Sequence, residues 1–158
     1  LYSLISRDVE QELVPLCEDQ GLGITPWSPL GGGFLSGKYK RGDTSAQGRR
    51  TREQFHFIPI DEEQGFHILD TTKEIAEAHN ASQAQVALNY LLSKKVVSSV
   101  LIGANKTEQL LDNLKTVEWK LTPEEVKKLD EVSAIKKPFY PKWMLDFTYQ
   151  DRLGGEPI

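Results

Sequence analysis

The 158-residue sequence has a single cysteine, Cys17, which excludes an intrachain disulfide framework and a multi-cysteine zinc site. One thiol suits a reducing compartment, and the chain is expected to be cytoplasmic. No stretch approaches the run of about 20 apolar residues that a membrane helix needs. Residues 1–7 also lack the basic region and apolar core of a secretory leader. Positive charge is short: 19 Lys and Arg against 23 Asp and Glu leave a net charge of −4. No overall basic field is therefore available to hold a nucleic-acid backbone or an anionic membrane. The three histidines, His56, His67 and His79, show no metal-ligand spacing, and they are expected to be structural or exposed. The chain opens on Leu1 rather than Met, which points to processing or to a fragment.

What is present is an ordinary globular composition, 39% hydrophobic and 27% charged. After a short apolar start at residues 1–5, Arg7 and Asp8 open a helical pattern, with Val9, Leu13, Leu16 and Cys17 at i, i+4, i+7 and i+8. Gly21 and Gly23 stop it, and Cys17, on the apolar stripe, is expected to be a buried, inert thiol. Residues 24–27 have the character of a buried parallel strand closed by Ser28-Pro29. Residues 28–59 form a glycine-containing, aperiodic loop that carries the basic cluster Arg49, Arg50 and Arg52, and its length suggests a functional segment. Helices are predicted from Asp61 to about His79 and from Ser82 to about Ser93. In the second, Ser82 and Gln85 have the spacing of a capping box, and Ala84, Ala87, Leu88 and Leu91 form the apolar stripe. Residues 96–102 are β-branched and end at Gly103, which predicts a strand. Thr107 starts a helix with Leu110, Leu111 and Leu114. A last helix begins at Thr122-Pro123-Glu124-Glu125 and runs to about Val132. The remainder, residues 136–158, is an aromatic, proline-containing tail.

Strands alternating with helices predict an α/β fold with a parallel sheet. Three strands fit in this length, whereas a closed eight-stranded barrel takes about 250 residues, so the chain is too short to be a whole barrel.

Two segments carry a resemblance. Gly23-Ile24-Thr25-Pro26-Trp27-Ser28-Pro29-Leu30-Gly31-Gly32-Gly33-Phe34-Leu35-Ser36-Gly37-Lys38-Tyr39 resembles the seventh-strand region of aldo-keto reductases. The stretch from Val97 to Leu114, with Ile102-Gly103-Ala104-Asn105-Lys106-Thr107 at its centre, resembles the eighth strand and following helix of the same family. Tyr2-Ser3-Leu4 falls at the sixth strand, and the likeness is closest to the branch of general-stress reductases and potassium-channel β subunits. The resemblance implies the C-terminal half of a TIM (β/α)8 barrel: residues 1–158 are the cofactor-binding half, with parallel strands 6 to 8 and their helices, and residues 136–158 are a tail over the rim. It implies an NADP(H)-dependent oxidoreductase that reduces aldehydes or ketones, with NAD(H) as the alternative cofactor. The family's catalytic Asp, Tyr, Lys and His would all precede Leu1, so this chain has no catalytic residue and is expected to be inactive alone.

By the same resemblance, Trp27 would stack on the nicotinamide, and Ser28, Pro29, Leu30, Gly31 and Lys38 would line the pyrophosphate. The residue types suit these roles: an indole offers a flat apolar face, and small residues let a phosphate approach backbone N–H groups. Gly103, Asn105 and Lys106 belong to a strand-to-helix turn, an anion-binding arrangement where the adenosine 2′-phosphate would sit. Gln109, Asp112 and Asn113, at i, i+3 and i+4, would grip the adenine and its ribose. Many relatives carry Arg at the position of Asn105, so here the preference for NADP(H) rests on Lys106 and the turn. Arg49 resembles the loop arginine that folds over bound cofactor.

Each assignment has a plainer counterpart. Trp27 could be core, Lys106 a solvated charge, Asp112 a helix-surface carboxylate, and Phe139 to Tyr149 either a substrate-pocket loop or packing over the barrel end. A non-catalytic nucleotide-sensing scaffold of the channel β-subunit type, or an inactive truncated product, are the competing functions. The expected partners are a nicotinamide dinucleotide, a carbonyl substrate in the complete form, and either an N-terminal half-barrel or a second copy. Nucleic acid and membrane are not expected.

Overall fold

The computed structural model describes residues 1–42 and 60–136. Arg49, the basic cluster around it, His56 and almost all of the C-terminal tail lie outside the described residues.

Helix formation follows the caps. Helix α1 is Leu13–Asp19, α2 is Glu62–Ala78, α3 is Gln83–Leu92, α4 is Thr107–Leu114 and α5 is Pro123–Val132. Asp61 caps α2 by accepting the Gln64 N–H at 3.1 Å. At α5 the capping box is complete: Thr122 Oγ1 accepts the Glu125 N–H at 3.2 Å, while Glu125 Oε2 accepts the Thr122 N–H at 2.8 Å. At α3 only half of the expected box forms. Ser82 Oγ accepts the Gln85 N–H at 3.2 Å, but the Gln85 amide turns to Asp112 and Trp119.

The first helix departs from expectation. A 3-10 turn spans Asp8–Gln11, and the α-helical segment restarts only at Leu13. Pro15 supplies the reason: without an N–H, its ring excludes the carbonyl four residues back from a continuous helix. Past Asp19, Gly21 adopts φ +66°, and the Leu22 N–H reaches the Cys17 carbonyl at 2.7 Å, a Schellman termination. Beyond Val9, which packs against the core, the predicted apolar stripe of this helix is not covered. Leu13 and Leu16 are 52% and 54% exposed, and Cys17 is half-buried rather than buried, because no described element packs over that face.

Strand pairing is sparser than predicted, and no extended strand forms among the described residues. Ile24 and Val97 make an isolated parallel bridge, in which the Ile24 N–H donates to Val96 O at 2.7 Å and the Ser98 N–H to Ile24 O at 3.0 Å. Further along, the Leu101 N–H donates to Pro26 O at 3.0 Å. Pro26 cannot donate in return, which interrupts the ladder. The Tyr2 N–H reaches Trp27 O at 3.4 Å, so the three predicted strand segments do lie side by side.

The core sits between these segments and α2, α3 and α5. Helix α2 turns Ile68, Leu69, Thr72, Ile75 and Ala76 inward, the stripe expected of an amphipathic helix. Helix α3 is buried on all sides from Ala84 to Leu91, beyond the single stripe predicted. Tyr2, Leu4, Phe34, Leu35, Leu121 and Leu129 complete the cluster, each large apolar side chain contributing about 1.5–3 kcal/mol on burial.

Candidate nucleotide site

The bridge at Ile24 and Val97 and the bond from Leu101 to Pro26 step along both segments in the same direction. The two segments therefore finish at the same end, with the turn after Trp27 beside the turn after Ile102. This end holds the two turns singled out from the sequence, the one that follows Trp27 and the one that runs from Gly103 to Lys106. In parallel α/β architectures, ligands bind outside the carboxyl ends of the strands.

The first turn is built for close approach. Ser28 has φ +52°, and Gly31 and Gly33 have φ +56° and +92°. A Cβ on Gly31 would lie 2.2 Å from Ile5 Cδ1, so a larger residue here would have to displace that side chain as well as hold a left-handed backbone. A Cβ on Gly33 would lie 3.1 Å from Lys38 Nζ, which places the ammonium directly over a bare stretch of backbone. Trp27 is 44% exposed at the mouth of this turn. Pro29 is buried and Leu30 packs against the core, so these two residues shape the turn from behind. An exposed indole, a glycine cradle and a cation above it fit the ring and phosphates of a dinucleotide.

The second turn leads into α4. Its N-cap residue, Lys106, makes no side-chain cap, so first-turn N–H groups are left for another acceptor. Gly103, Asn105, Lys106 and Gln109 are exposed. Gln109 folds back so that its Oε1 accepts the Asn105 N–H at 3.1 Å. The three residues expected to share a face differ in their surroundings: Gln109 faces solvent, Asn113 is buried and Asp112 is half-buried against α3. Both Asp112 oxygens are engaged. Ser82 Oγ donates to Oδ2 at 2.6 Å, and Gln85 Nε2 donates to Oδ1 at 2.7 Å. Ser82 and Gln85 were visible in the sequence only as a local cap, since their partner lies some 30 residues away on another helix.

His67 is exposed. His79 pairs with Glu125 at 2.7 Å and stacks on Trp119 at 4.5 Å between centroids, a structural role. Burial pushes the Glu125 carboxyl up, but hydrogen bonds from the Thr122 backbone and His79 outweigh it and hold the group below its ordinary range. Among the described residues no group of three His, Cys, Asp or Glu side chains is placed to hold a metal ion. No described helix is long and apolar enough to cross a membrane. Two open clefts, of about 460 and 470 Å³, lie elsewhere, beside Lys94 and Asp130 and beside Arg7 and Lys136. Neither includes Trp27 or α4, and the convergence of the two turns is the better guide to chemistry.

Among the described residues, five helices surround two segments paired in parallel at Ile24 and Val97, and the turns that follow those segments leave exposed groups at one end. The sequence pattern of the Aldo/keto reductase family matches residues 1–134, and the chain belongs to that family, whose fold is the TIM barrel. It is 39% identical over 139 residues to a Schizosaccharomyces pombe protein named "Putative voltage-gated potassium channel subunit beta", covering 83% of this chain and 40% of the relative. An uncharacterized oxidoreductase of Bacillus subtilis is 37% identical over 131 residues, covering 83% of this chain and 38% of its own length. The versiconal hemiacetal acetate reductase of Aspergillus parasiticus is 30% identical over 141 residues, covering 89% and 39% respectively. The chain thus spans about 40% of the length of these curated relatives.

Proposed function

We propose that the chain is the cofactor-binding, C-terminal half of an aldo-keto reductase barrel, contributing strands 6 to 8 and their helices, with residues 136–158 as a tail over the rim. The observation that carries this reading is the shared end of the two turns, the first offering Trp27 and the Gly33–Lys38 cradle and the second an uncapped helix start. In this reading a nicotinamide dinucleotide lies along that end. Trp27 supports the nicotinamide, Ser28 to Gly31 and Lys38 face the pyrophosphate, and Lys106 and the Gly103 turn face the adenosine 2′-phosphate, which favours NADP(H) over NAD(H). Arg49 would close over the cofactor.

When bound, the cofactor supplies hydride to an aldehyde or ketone carbon. The present residues bind it and fix which ring face is presented, since Trp27 covers the other. The group that protonates the carbonyl oxygen belongs to the N-terminal half of the barrel, which would also be this chain's partner. The chain alone would bind cofactor without turning over substrate. Titration of the purified chain with NADPH, followed by tryptophan fluorescence, tests the site. Trp27→Ala should weaken binding about three- to tenfold, the loss of one aromatic stack, and His67→Ala should leave it unchanged. Equal effects of the two substitutions would remove Trp27 from the site.

A second reading is favoured by the relative named as a channel β subunit: a cofactor-sensing subunit with no turnover of its own. Joining the chain to an N-terminal half-barrel from the family and assaying carbonyl-dependent NADPH oxidation distinguishes the two, since only the reductase reading requires turnover.

A further inference from the structure

Helix α4 is fastened unlike its neighbours. Leu110, Leu111 and Leu114 are 41%, 56% and 51% exposed, and Asn113 is the only residue of the helix that is buried. Apolar packing therefore does little to set where α4 lies. A polar clasp does it instead. Asp112 sits between two donors of α3, Ser82 Oγ at 2.6 Å and Gln85 Nε2 at 2.7 Å, and a carboxylate held by two charge-assisted hydrogen bonds is a strong anchor. Gln85, itself 5% exposed, is fixed in turn: its Oε1 accepts the Trp119 Nε1 proton at 3.1 Å, and the Trp119 ring rests on His79. The amide of Gln85 is thus oriented from both ends, with its NH2 toward Asp112.

We propose that Ser82 and Gln85 are positioning residues for the adenosine side of the nucleotide, acting through Asp112. Asp112 is one and a half turns into α4. Fixing it against α3 fixes the first turn of α4 and the residue 103–107 loop, where the N–H groups and Lys106 would meet a phosphate. Asp112 thereby serves as a fastener, with one hydrogen bond from α3 on each of its carboxylate oxygens. This rests on the nucleotide reading given above and adds to it a distinction between the two ends of the ligand.

The test uses the full 158-residue chain and two probes, adenosine 2′,5′-bisphosphate and nicotinamide mononucleotide, titrated by calorimetry. Gln85→Met keeps the side-chain volume and removes the donor to Asp112. It should weaken the bisphosphate about tenfold, the loss of one hydrogen bond to a charged group, and leave the mononucleotide within twofold. Ser82→Thr keeps the hydroxyl and should match the parent chain. Hydrogen exchange gives a ligand-free readout: Gln85→Met should speed exchange in residues 107–114 and leave α5 unchanged. Unchanged exchange in α4, or equal losses for both probes, would overturn the positioning role. So would an Asp112→Ala variant that loses the bisphosphate while Gln85→Met retains it, because Asp112 would then touch the ligand itself. If the parent chain bound neither probe while Gln85→Met still loosened α4, the clasp would stand and the nucleotide reading would fail.

Discussion

Arg7 and Asp130 join the two ends of the described chain: Arg7 Nη1 donates to the Asp130 carbonyl at 2.8 Å, and Nη2 lies 3.1 Å from its carboxylate. Glu10 binds the other side of the same guanidinium at 2.6 and 2.9 Å. Tyr90 and Lys94 donate to Asp130 Oδ1 at 2.6 and 2.7 Å, and Tyr2 donates to Glu10 at 2.7 Å. Burial and these carboxylate acceptors push both phenols well above their ordinary range, so each stays a donor. The cluster pins the first segment to α3 and α5 with every charge matched.

Arg7→Met should lower unfolding stability by about 3 kcal/mol, because it leaves two partly buried carboxylates without their shared cation. Arg7→Lys should recover only a fraction, since an ammonium cannot reproduce the forked contacts. Urea denaturation of the three proteins checks the order.

Stability should fall on acidification. Burial pushes the Asp130 carboxyl up, but hydrogen bonds from Lys94 and Tyr90 and the charges of Lys94 and Arg7 outweigh it, leaving the group below its ordinary value. Glu125 is depressed as well. A carboxylate depressed in the folded state stabilises above its unfolded value, and that contribution disappears as pH drops through the folded value. The melting temperature should therefore be flat near neutrality and decline below about pH 4. In Asp130→Asn the decline should be shallower. A profile identical to that of the parent chain would refute this account.

Lys106→Ala should narrow the preference for NADPH over NADH by about three- to tenfold, the value of one exposed charge-assisted contact, with NADH affinity unchanged. Parallel titrations with the two cofactors measure it. An unaltered ratio would remove Lys106 from the 2′-phosphate.

The purified chain should associate rather than remain a clean 17.8 kDa monomer. Leu110, Leu111, Leu114 and Val117 on one side, and Leu13, Leu16 and Leu22 along α1 and the turn after it, are more than 40% exposed, and apolar surface on this scale draws partners. Sedimentation over a concentration series, repeated for Leu111→Gln/Leu114→Gln, should show association that weakens in the variant. A monodisperse monomer would contradict it.

Local chemistry made the helices legible. Asp61, Ser82 and Thr122 each cap the helix they were expected to start, and α2 ends at Ala78, with His79 as its C-cap, where the sequence placed its end. What stayed hidden was set by distance or by a single local exception. Pro15 breaks the first helix although the apolar spacing runs through it, and Pro26 limits a ladder that residues 96–102 favour. The engagement of Asp112 by Ser82 and Gln85 depends on how two helices lie together, which no spacing within either helix encodes. Trp27, Lys38 and Lys106 were singled out through the family resemblance of the two segments that carry them, and the parallel pairing of Ile24 with Val97 sets the ends of those segments side by side.

Helix α3, buried from Ala84 to Leu91 and touched by α2, α4 and the 3-10 segments Gly31–Ser36 and Lys115–Glu118, has consequences for how the protein opens and how it can evolve. A stretch with no solvent face cannot fray alone, so the amides of residues 84–91 should exchange only when the surrounding layers part together, making them the slowest to exchange among the described residues. The same enclosure narrows its tolerance of substitution. A change that would be silent on a one-sided helix here meets a neighbour whichever way it points, and adaptation of this protein is left to the turns and the outer faces.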